Sequence, residues 1–243
     1  MSLYGLIGYP LSHSFSKKYF TEKFEKEGLQ DAYELFPVEN IAEIHAIINN
    51  NPDLCGLNVT IPHKRSVLKH LNNTTGIPNG LNACNCIKIR NNKTYGFNTD
   101  VTGFERSLKP LLKDHHTKAL ILGNGGAAEA VKYVFGKNNI RYTIVSRGLH
   151  NDSSLTYEQL TADVIADHKI IVNTTPLGMH PDVDSFPAIP YSAITKEHLL
   201  YDLVYNPAKT IFLQKGEGQG AIIKNGYEML LIQAEESWKI WND

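Results

Sequence analysis

Short apolar runs alternate with amphipathic segments along almost the whole chain. Each apolar run is bounded by polar or turn residues, as buried strands usually are. The predicted strands are 4–9, 33–38, 56–61, 118–123, 141–146, 169–175, 198–205 and 221–226. Between them, segments such as 14–28 and 41–50 carry apolar residues at helical spacing. Strands that alternate with helices predict an α/β fold with parallel sheets whose faces are covered.

Two features of this pattern indicate how the domains are organised. A hairpin is predicted from 84–98, with Asn91 and Asn92 at its turn, and a polar break follows at 113–118. We therefore place a boundary near residue 101. The last segment, 226–241, is an amphipathic helix that we expect to pack on the first domain. The predicted domains are 1–101 plus 226–243, and 102–225.

Composition narrows the class of protein. The formal net charge is -1, and 42% of the 243 residues are hydrophobic, so the chain predicts a globular protein that binds no nucleic acid. Without a long apolar run or a signal sequence, we expect neither membrane insertion nor export. The three cysteines fit a reducing cytoplasm. The histidines lack metal-ligand spacing, so we expect no metal.

A glycine-rich turn lies between the predicted strand 118–123 and a helix. It reads G-x-G-x-x-A, with Gly123, Gly125 and Ala128 at the defining positions. In a strand–turn–helix context this motif binds dinucleotides, because glycine lets the pyrophosphate approach the backbone and the free helix N–H groups hold it. The alternative is a glycine-rich turn without a ligand.

The next strand bears on which dinucleotide binds. A site for NAD usually has a carboxylate about 20 residues after the glycines, to bond the ribose hydroxyls. Here the strand ends in Ser146 and Arg147, and an arginine suits the 2′-phosphate of NADPH. We therefore predict NADP(H), with Arg147 as phosphate clamp and Ser146 as hydrogen-bond donor. A solvated surface arginine is the alternative.

The stretch GLNVTIPHK (56–64) places polar side chains on a core strand and an ammonium just after it. Pro62 suits a helix start, so we predict a helix over 63–71 with Lys64 in its first turn. Hydride delivery to a carbonyl leaves an alkoxide that needs a proton or a cation. Lys64 is a candidate for that role, with Asp100 as its partner. Alternatively, Lys64 is solvated and Asp100 caps a helix.

Eight ordered motifs give the chain a resemblance to the shikimate dehydrogenase family over essentially its whole length. They are GYPLSHSFS (8–16), GLNVTIPHK (56–64), NACNCI (82–87), GFNTD (96–100), GNGGAAEA (123–130), NTTPLGM (173–179), YDLVYNP (201–207) and GYEMLLIQA (226–234). The resemblance implies two α/β domains, an N-terminal substrate-binding domain and a Rossmann-like NADP-binding domain. It also implies NADPH-dependent, reversible reduction of 3-dehydroshikimate to shikimate in aromatic amino-acid biosynthesis.

The resemblance also implies roles for individual residues. Lys64 and Asp100 would be catalytic, with Lys64 at the reacting oxygen. The implied substrate-binding residues are Ser14 and Ser16 at the carboxylate, and Asn58, Thr60, Asn85 and Gln233 around the ring. The implied cofactor-binding residues, beyond Ser146 and Arg147, are Gly123, Gly125, Gly126, Ala127, Asn173, Thr174, Met179 and Gly226. We expect a monomer or a homodimer.

The chain departs from the family pattern at three places. The first loop has Lys17 where the family often has proline, and Cys86 follows Asn85 where threonine is usual. The arginine motif lacks its threonine, and only His150 follows as a second basic residue.

Three other functions share part of this sequence pattern. A quinate/shikimate dehydrogenase that uses NAD would share most of these motifs. A nucleotide-binding regulatory protein without turnover would need neither Lys64 nor Asp100. A folate-linked dehydrogenase of similar architecture lacks support from the Ser14 and Asp100 motifs.

Overall fold

The computed structural model describes residues 1–11, 14–148 and 155–243. The strands in this part of the chain are β1 (Leu3–Gly8), β2 (Ala32–Pro37), β3 (Leu54–Val59), β4 (Asn73–Gly76), β5 (Cys86–Arg90), β6 (Lys93–Phe97), β7 (Lys118–Leu122), β8 (Arg141–Ser146), β9 (Leu155–Thr156), β10 (Ile170–Asn173), β11 (Leu199–Asp202) and β12 (Ile222–Lys224). The α-helices are α1 (Phe15–Glu27), α2 (Ile44–Asn50), α3 (Asp100–Leu108), α4 (Gly126–Lys137), α5 (Ala162–Asp167), α6 (Ile211–Gly218) and α7 (Tyr227–Asn242).

The chain divides into two compact units, each built around one sheet. The first unit comprises Met1–Asp100 with Gln233–Asp243, and the second comprises Val101–Ile232. The sequence placed the divisions near residues 101 and 226, and the functional meaning of that division stays a prediction. The α/β class is confirmed, because both sheets carry helices between their strands.

The sheet of the first unit has the order β2-β1-β3-β5-β6-β4. β1 runs parallel to β2 and β3, whereas β5 pairs antiparallel with β3 and β6. The predicted hairpin is confirmed: Asn91 and Asn92 both have positive φ angles, which a two-residue hairpin turn requires. Asn58 lies near the end of β3, opposite Leu6 on one side and Cys86 on the other.

The core of the first unit is aromatic, and the end of α7 completes it. The Trp241 ring stacks on Tyr4 at 4.9 Å, and its Nε1 donates to the carbonyl of Ile87 at 3.0 Å. Phe20 stacks on Tyr33 at 4.7 Å. A Cβ on Gly56 would meet Trp241 at 2.4 Å, so the absent side chain lets the indole lie on the sheet. The first strands and the last helix therefore share one core.

The sheet of the second unit is parallel in all its described pairings, with the order β12-β11-β10-β7-β8-β9. Read from its other edge, this is the strand order of a doubly wound dinucleotide-binding fold, so the prediction of a Rossmann-like unit is confirmed. The chain reverses direction across the sheet between β7 and β10. Ligands of such sheets bind at the carboxyl ends of these strands.

One local prediction is wrong, and two short strands were not predicted. Residues 63–71 do not form an α-helix, because only Ser66–His70 are helical and they form a short 3-10 turn. β4 and β9 are short strands that the sequence pattern did not predict, since their few residues lack a recognisable apolar alternation. Within the described residues, no helix combines the length and apolar character needed to cross a bilayer.

Candidate active site

Lys64 and Asp100 form an ion pair in the first unit. The Lys64 Nζ lies 2.7 Å from Asp100 Oδ2, and the two side chains are 15% and 7% exposed. Asp100 is the first residue of α3, whereas Lys64 lies in the turn between β3 and the 3-10 segment Ser66–His70. The predicted place of Lys64 in a helical first turn is therefore wrong. The carboxylate holds a largely desolvated ammonium in one orientation.

Hydrogen bonds join this pair to the segment around Asn85. The Cys84 N–H donates to the Lys64 carbonyl at 2.8 Å. The Asn85 side chain accepts from the Thr99 N–H at 2.7 Å and donates to Thr99 Oγ1 at 2.9 Å. Thr99 directly precedes Asp100, so Asn85 and Thr99 fix the chain at the start of α3. Gln233, on α7, brings its Oε1 within 3.4 Å of Asn85 Nδ2.

Asn58 belongs to the same network, through residues that the sequence did not single out. Its Nδ2 donates to Ser237 Oγ at 2.9 Å, and its Oδ1 accepts from the Tyr33 hydroxyl at 2.8 Å. The hydroxyl oxygens of Ser237 and Thr99 also lie 3.2 Å apart. Ser237 follows Gln233 by one helical turn, which is the one sequence signal that points to it. Tyr33 and Thr99 carry no comparable signal.

The two serines predicted at the carboxylate lie at the start of α1. Ser14 is the N-cap residue, and its Oγ accepts from the Lys17 N–H at 3.3 Å. The family's proline could not make this bond, because proline has no N–H. A hydrogen bond from Ser16 favours the charged form of Tyr33, but burial dominates and raises the pKa of that phenol. Thr60 follows β3, and its N–H donates to the Ile7 carbonyl.

The glycine loop follows β7 in the second unit. Gly123 has a φ of +103°, which favours glycine, and a Cβ there would meet Thr174 Oγ1 at 2.8 Å. Gly125 caps α4, and a Cβ on it would meet nothing within 4 Å. Gly126 and Ala127 open α4, so their N–H groups have no partner inside the helix. The residues present fit a pyrophosphate. It would occupy the open space beside Gly125 and accept hydrogen bonds from these N–H groups.

The strand after the loop ends at the predicted 2′-phosphate residues. Ser146 is the last residue of β8, and its hydroxyl donates to the Gly148 carbonyl. That bond shapes the turn, so the predicted donation from Ser146 to a phosphate would require the hydroxyl to rotate. The Arg147 side chain is exposed. His150 lies outside the described residues.

The remaining predicted cofactor residues lie in the same unit and differ in what they can touch. The Asn173 side chain is fully buried, and its Nδ2 donates to Asp202 Oδ1 at 3.0 Å, so it shapes the loop after β10. Thr174 donates to the Leu122 carbonyl at 2.8 Å. The Met179 side chain is exposed. A Cβ on Gly226 would meet the Leu203 carbonyl at 2.2 Å, so Gly226 has a packing reason to be glycine.

The predicted catalytic and substrate residues lie in the first unit, and the predicted cofactor residues lie in the second. Comparison with known protein families matches part of the first unit. The sequence profile of the shikimate dehydrogenase substrate binding domain matches residues 6–87.

Full-length relatives extend the similarity to the whole chain. A protein of Methanococcus maripaludis named shikimate dehydrogenase (NADP(+)) is 36% identical over 256 residues, which cover 98% of this chain and 91% of that protein. The crystal structure of shikimate dehydrogenase 1 from Peptoclostridium difficile matches with a TM-score of 0.86 at 34% identity, covering 100% of this chain and 92% of that one.

A solved complex adds a structural neighbour with both ligands. The shikimate 5-dehydrogenase of Thermus thermophilus, crystallised with NADP(H) and shikimate, matches with a TM-score of 0.87 at 25% identity. The match covers 99% of this chain and 93% of that one. With identity above one third sustained over nearly its full length, this chain belongs to the shikimate dehydrogenase family.

Proposed function

We propose that this protein is an NADP-dependent shikimate dehydrogenase, which reversibly reduces 3-dehydroshikimate to shikimate. The observation that carries the proposal is the 2.7 Å pair of Lys64 and Asp100, set among buried amide and hydroxyl groups. A buried ammonium beside many hydrogen-bonding groups suits a small polyhydroxylated ligand with a reacting oxygen. The relatives named above carry this activity in their names or were crystallised with these ligands.

The chemistry divides between the cofactor and the side chains of this chain. When bound, NADPH supplies the hydride for the C3 carbonyl of the substrate. Lys64 donates a proton to the oxygen that develops negative charge, or stabilises that charge until a proton arrives. Asp100 keeps the ammonium oriented and accepts from a substrate hydroxyl. In the oxidative direction, Lys64 takes the proton back.

The other predicted residues bind and orient the ligands. Ser14 and Ser16 donate to the substrate carboxylate, at the positive end of α1, and the Ser16 hydroxyl rotates away from Tyr33 to do so. The ring hydroxyls are met by Asn58, Thr60, Asn85 and Gln233. The N–H groups from Gly123 to Ala127 hold the pyrophosphate, and Arg147 holds the 2′-phosphate with Ser146 beside it. Thr174, Met179 and Gly226 lie around the nicotinamide half, with Asn173 fixing their loop.

The domain roles follow from this assignment. Residues 1–101 with 226–243 bind the substrate, and residues 102–225 bind NADP(H). The oligomeric state, monomer or homodimer, stays a prediction from the sequence. The same holds for location in the cytoplasm.

A spectrophotometric assay tests the proposal directly. Purified protein is given shikimate or quinate with NADP⁺ or NAD⁺, and formation of reduced nicotinamide is followed in the near ultraviolet. We expect the highest kcat/KM for shikimate with NADP⁺. Preference for quinate with NAD⁺ would establish the degradative alternative instead. NADP⁺ binding without turnover of either substrate would indicate a regulatory nucleotide-binding protein.

A further inference from the structure

Ser237 is a fully buried serine at the centre of the hydrogen-bond network in the first unit. Its Oγ donates to the Gln233 carbonyl one turn earlier on α7, at 2.9 Å. The same oxygen accepts from Asn58 Nδ2 at 2.9 Å and lies 3.2 Å from Thr99 Oγ1. One side chain of the last helix therefore contacts three segments that carry proposed substrate residues.

The number of protons on each group gives the direction of the hydrogen bonds that Ser237 makes to Gln233 and Asn58. A serine hydroxyl has one proton, and a carbonyl can only accept, so the Ser237 proton goes to Gln233. The amide Nδ2 of Asn58 can only donate, so it donates to Ser237. Ser237 then has no proton left for Thr99. The Thr99 hydroxyl accepts from Asn85 Nδ2 and can donate to Ser237 or to the side-chain oxygens of Asn85 and Gln233 at 3.3 and 3.5 Å. The Cys86 thiol beside Ser237 stays neutral, because burial raises its pKa.

The Asn58 carboxamide is held from both of its ends. Both protons of Nδ2 are used, one toward Ser237 and one toward the Asn85 carbonyl at 3.3 Å. On the other end, Oδ1 accepts from the Tyr33 hydroxyl at 2.8 Å. A carbonyl oxygen accepts two hydrogen bonds, so one acceptor position of Asn58 remains for a ligand. A flipped amide would set its NH₂ against the Tyr33 hydroxyl and leave Ser237 without its donor.

We propose that Ser237 and Tyr33 are positioning residues that clamp the Asn58 carboxamide, so that Asn58 offers the substrate one hydrogen-bond acceptor and no donor. This inference rests on the proposed function. Asn58 then recognises a ring hydroxyl by its proton and rejects a group that lacks one. A site whose buried polar group is left unpaired discriminates strongly against such an analogue.

The clamp is tested by comparing shikimate with its 4-deoxy and 5-deoxy analogues. For wild type, both analogues should have a KM above that of shikimate, because Asp100, Asn85 and Gln233 also contact ring hydroxyls. The hydroxyl that Asn58 recognises is absent from the analogue whose KM disadvantage, about tenfold, disappears in Ser237→Ala. Ser237→Ala frees the amide to rotate. We expect it to raise the KM for shikimate about tenfold, to leave kcat nearly unchanged, and to leave the KM for that analogue unchanged.

Two further variants separate positioning from simple loss of stability. Ser107→Ala removes another buried helical serine that donates to a carbonyl one turn earlier, but in the second unit. It should lower the unfolding temperature without changing the discrimination between shikimate and the analogue. Tyr33→Phe loosens the clamp from its other end with little change in volume. It should reduce the same discrimination, and it carries the test if Ser237→Ala does not fold.

The outcomes distinguish the clamp from the proposed function. If wild type does not oxidise shikimate, the proposed function and the proposed clamp are both wrong. If wild type does, and both variants either leave KM unchanged or raise it equally for shikimate and the analogue, the clamp alone is wrong.

Discussion

Lys64 and Asp100 illustrate what burial does to a pair of ordinary charged residues. Neither side chain is more than 15% exposed, and their charged atoms are 2.7 Å apart. An ion pair of this kind is weak evidence for stability, because desolvation offsets much of the attraction. Its orientation beside hydrogen-bonding groups matters more, since a proton donor must be held at its target.

Replacing Lys64 should affect turnover more than binding. Lys64→Ala removes the proposed proton-transfer group, so kcat for shikimate oxidation should fall by roughly 10²–10⁴-fold with little change in KM. Steady-state kinetics measures both values. Lys132→Ala is the matched control, because the Lys132–Glu129 pair has the same 2.7 Å distance and similar exposure, 14% and 6%. A Lys64 variant with near-wild-type kcat would remove this residue from the mechanism.

Arg147 should decide the preference between cofactors. Its guanidinium would bond the 2′-phosphate that NADPH has and NADH lacks. Arg147→Ala should therefore raise the KM for NADPH about tenfold or more and leave the KM for NADH unchanged. Arg141→Ala, at the opposite end of β8, is the control and should change neither value. An unchanged ratio of the two KM values in Arg147→Ala would contradict the assignment.

At the scale of elements, the turn between β7 and α4 contains glycines of two kinds. Gly123 needs to be glycine for the fold, because its φ is +103° and a Cβ would collide with Thr174. Gly125 has a φ of -85° and open space around it, so the fold itself does not require glycine there. A ligand that approaches the backbone would explain its missing side chain.

This difference predicts separable effects of two alanine substitutions. Gly125→Ala should leave the free energy of unfolding within ~0.5 kcal/mol of wild type but raise the dissociation constant of NADPH at least about tenfold. Gly123→Ala should lower the free energy of unfolding by about 1–3 kcal/mol. Urea unfolding and titration of cofactor fluorescence measure the two quantities. Gly136→Ala, near the end of α4, is the control and should leave cofactor binding unchanged. Tight NADPH binding by Gly125→Ala would argue against a pyrophosphate at this turn.

Asp202 connects the end of β11 to two neighbouring segments. Its carboxylate accepts from the Thr210 hydroxyl at 2.5 Å, at the N-cap of α6, and from Asn173 at the end of β10. Burial raises its pKa from 3.8 to about 6, and these hydrogen bonds oppose the rise only in part. The Asp202 carboxylate therefore holds two segments in place, but its charged form lowers the stability of the folded protein because it is buried.

The raised pKa of Asp202 predicts a specific pH dependence of stability. Because the folded state binds this proton more tightly than the unfolded state, stability falls as the pH rises from about 4 to about 6. The free energy of unfolding of wild type relative to Asp202→Asn should drop by about 1–3 kcal/mol over this range and stay constant above it. Urea unfolding at several pH values measures the difference. Asp184→Asn, at an exposed position, should show no such drop; a flat difference for Asp202→Asn would mean that its pKa is ordinary.

At the scale of the whole molecule, the two ends of the chain form one core. Trp241 lies two positions before Asp243 and stacks on Tyr4, near the N-terminus. The chain thus leaves the first unit at Asp100, forms the second unit, and returns along α7. The proposed substrate-binding residues on β3 and on α7 are brought together by this return.

Removing the Trp241 side chain should therefore destabilise the first unit selectively. Trp241→Ala leaves a large cavity beside Tyr4 and should lower the free energy of unfolding of that unit by about 3–5 kcal/mol. Trp238, the other tryptophan of the chain, also lies in the first unit, so its fluorescence in urea reports on that unit. Lys239→Ala, an exposed neighbour, should change stability by less than ~0.5 kcal/mol. NADPH binding, measured separately, should survive in Trp241→Ala.

The sequence by itself determined the features that depend on neighbours along the chain. Apolar periodicity predicted most strands and several helices, Asn91-Asn92 predicted the hairpin turn, and the glycine spacing after a strand predicted the loop before α4. Each of these is a local preference of the backbone, so a few consecutive residues suffice to reveal it. The prediction of a helix over 63–71 was wrong because tertiary contacts hold that segment in a tighter turn. Among these contacts is the hydrogen bond from the Cys84 N–H to the Lys64 carbonyl.

Only the tertiary structure decided which distant side chains meet. Lys64 and Asp100 are 36 residues apart, and Asn58 and Ser237 are 179 apart. No periodicity connects such positions, because their contact depends on strand order and on the return of α7 rather than on local conformation. For the same reason Tyr33, Thr99 and Ser237 were not predicted: a buried hydroxyl gains its role from the partners that folding places around it.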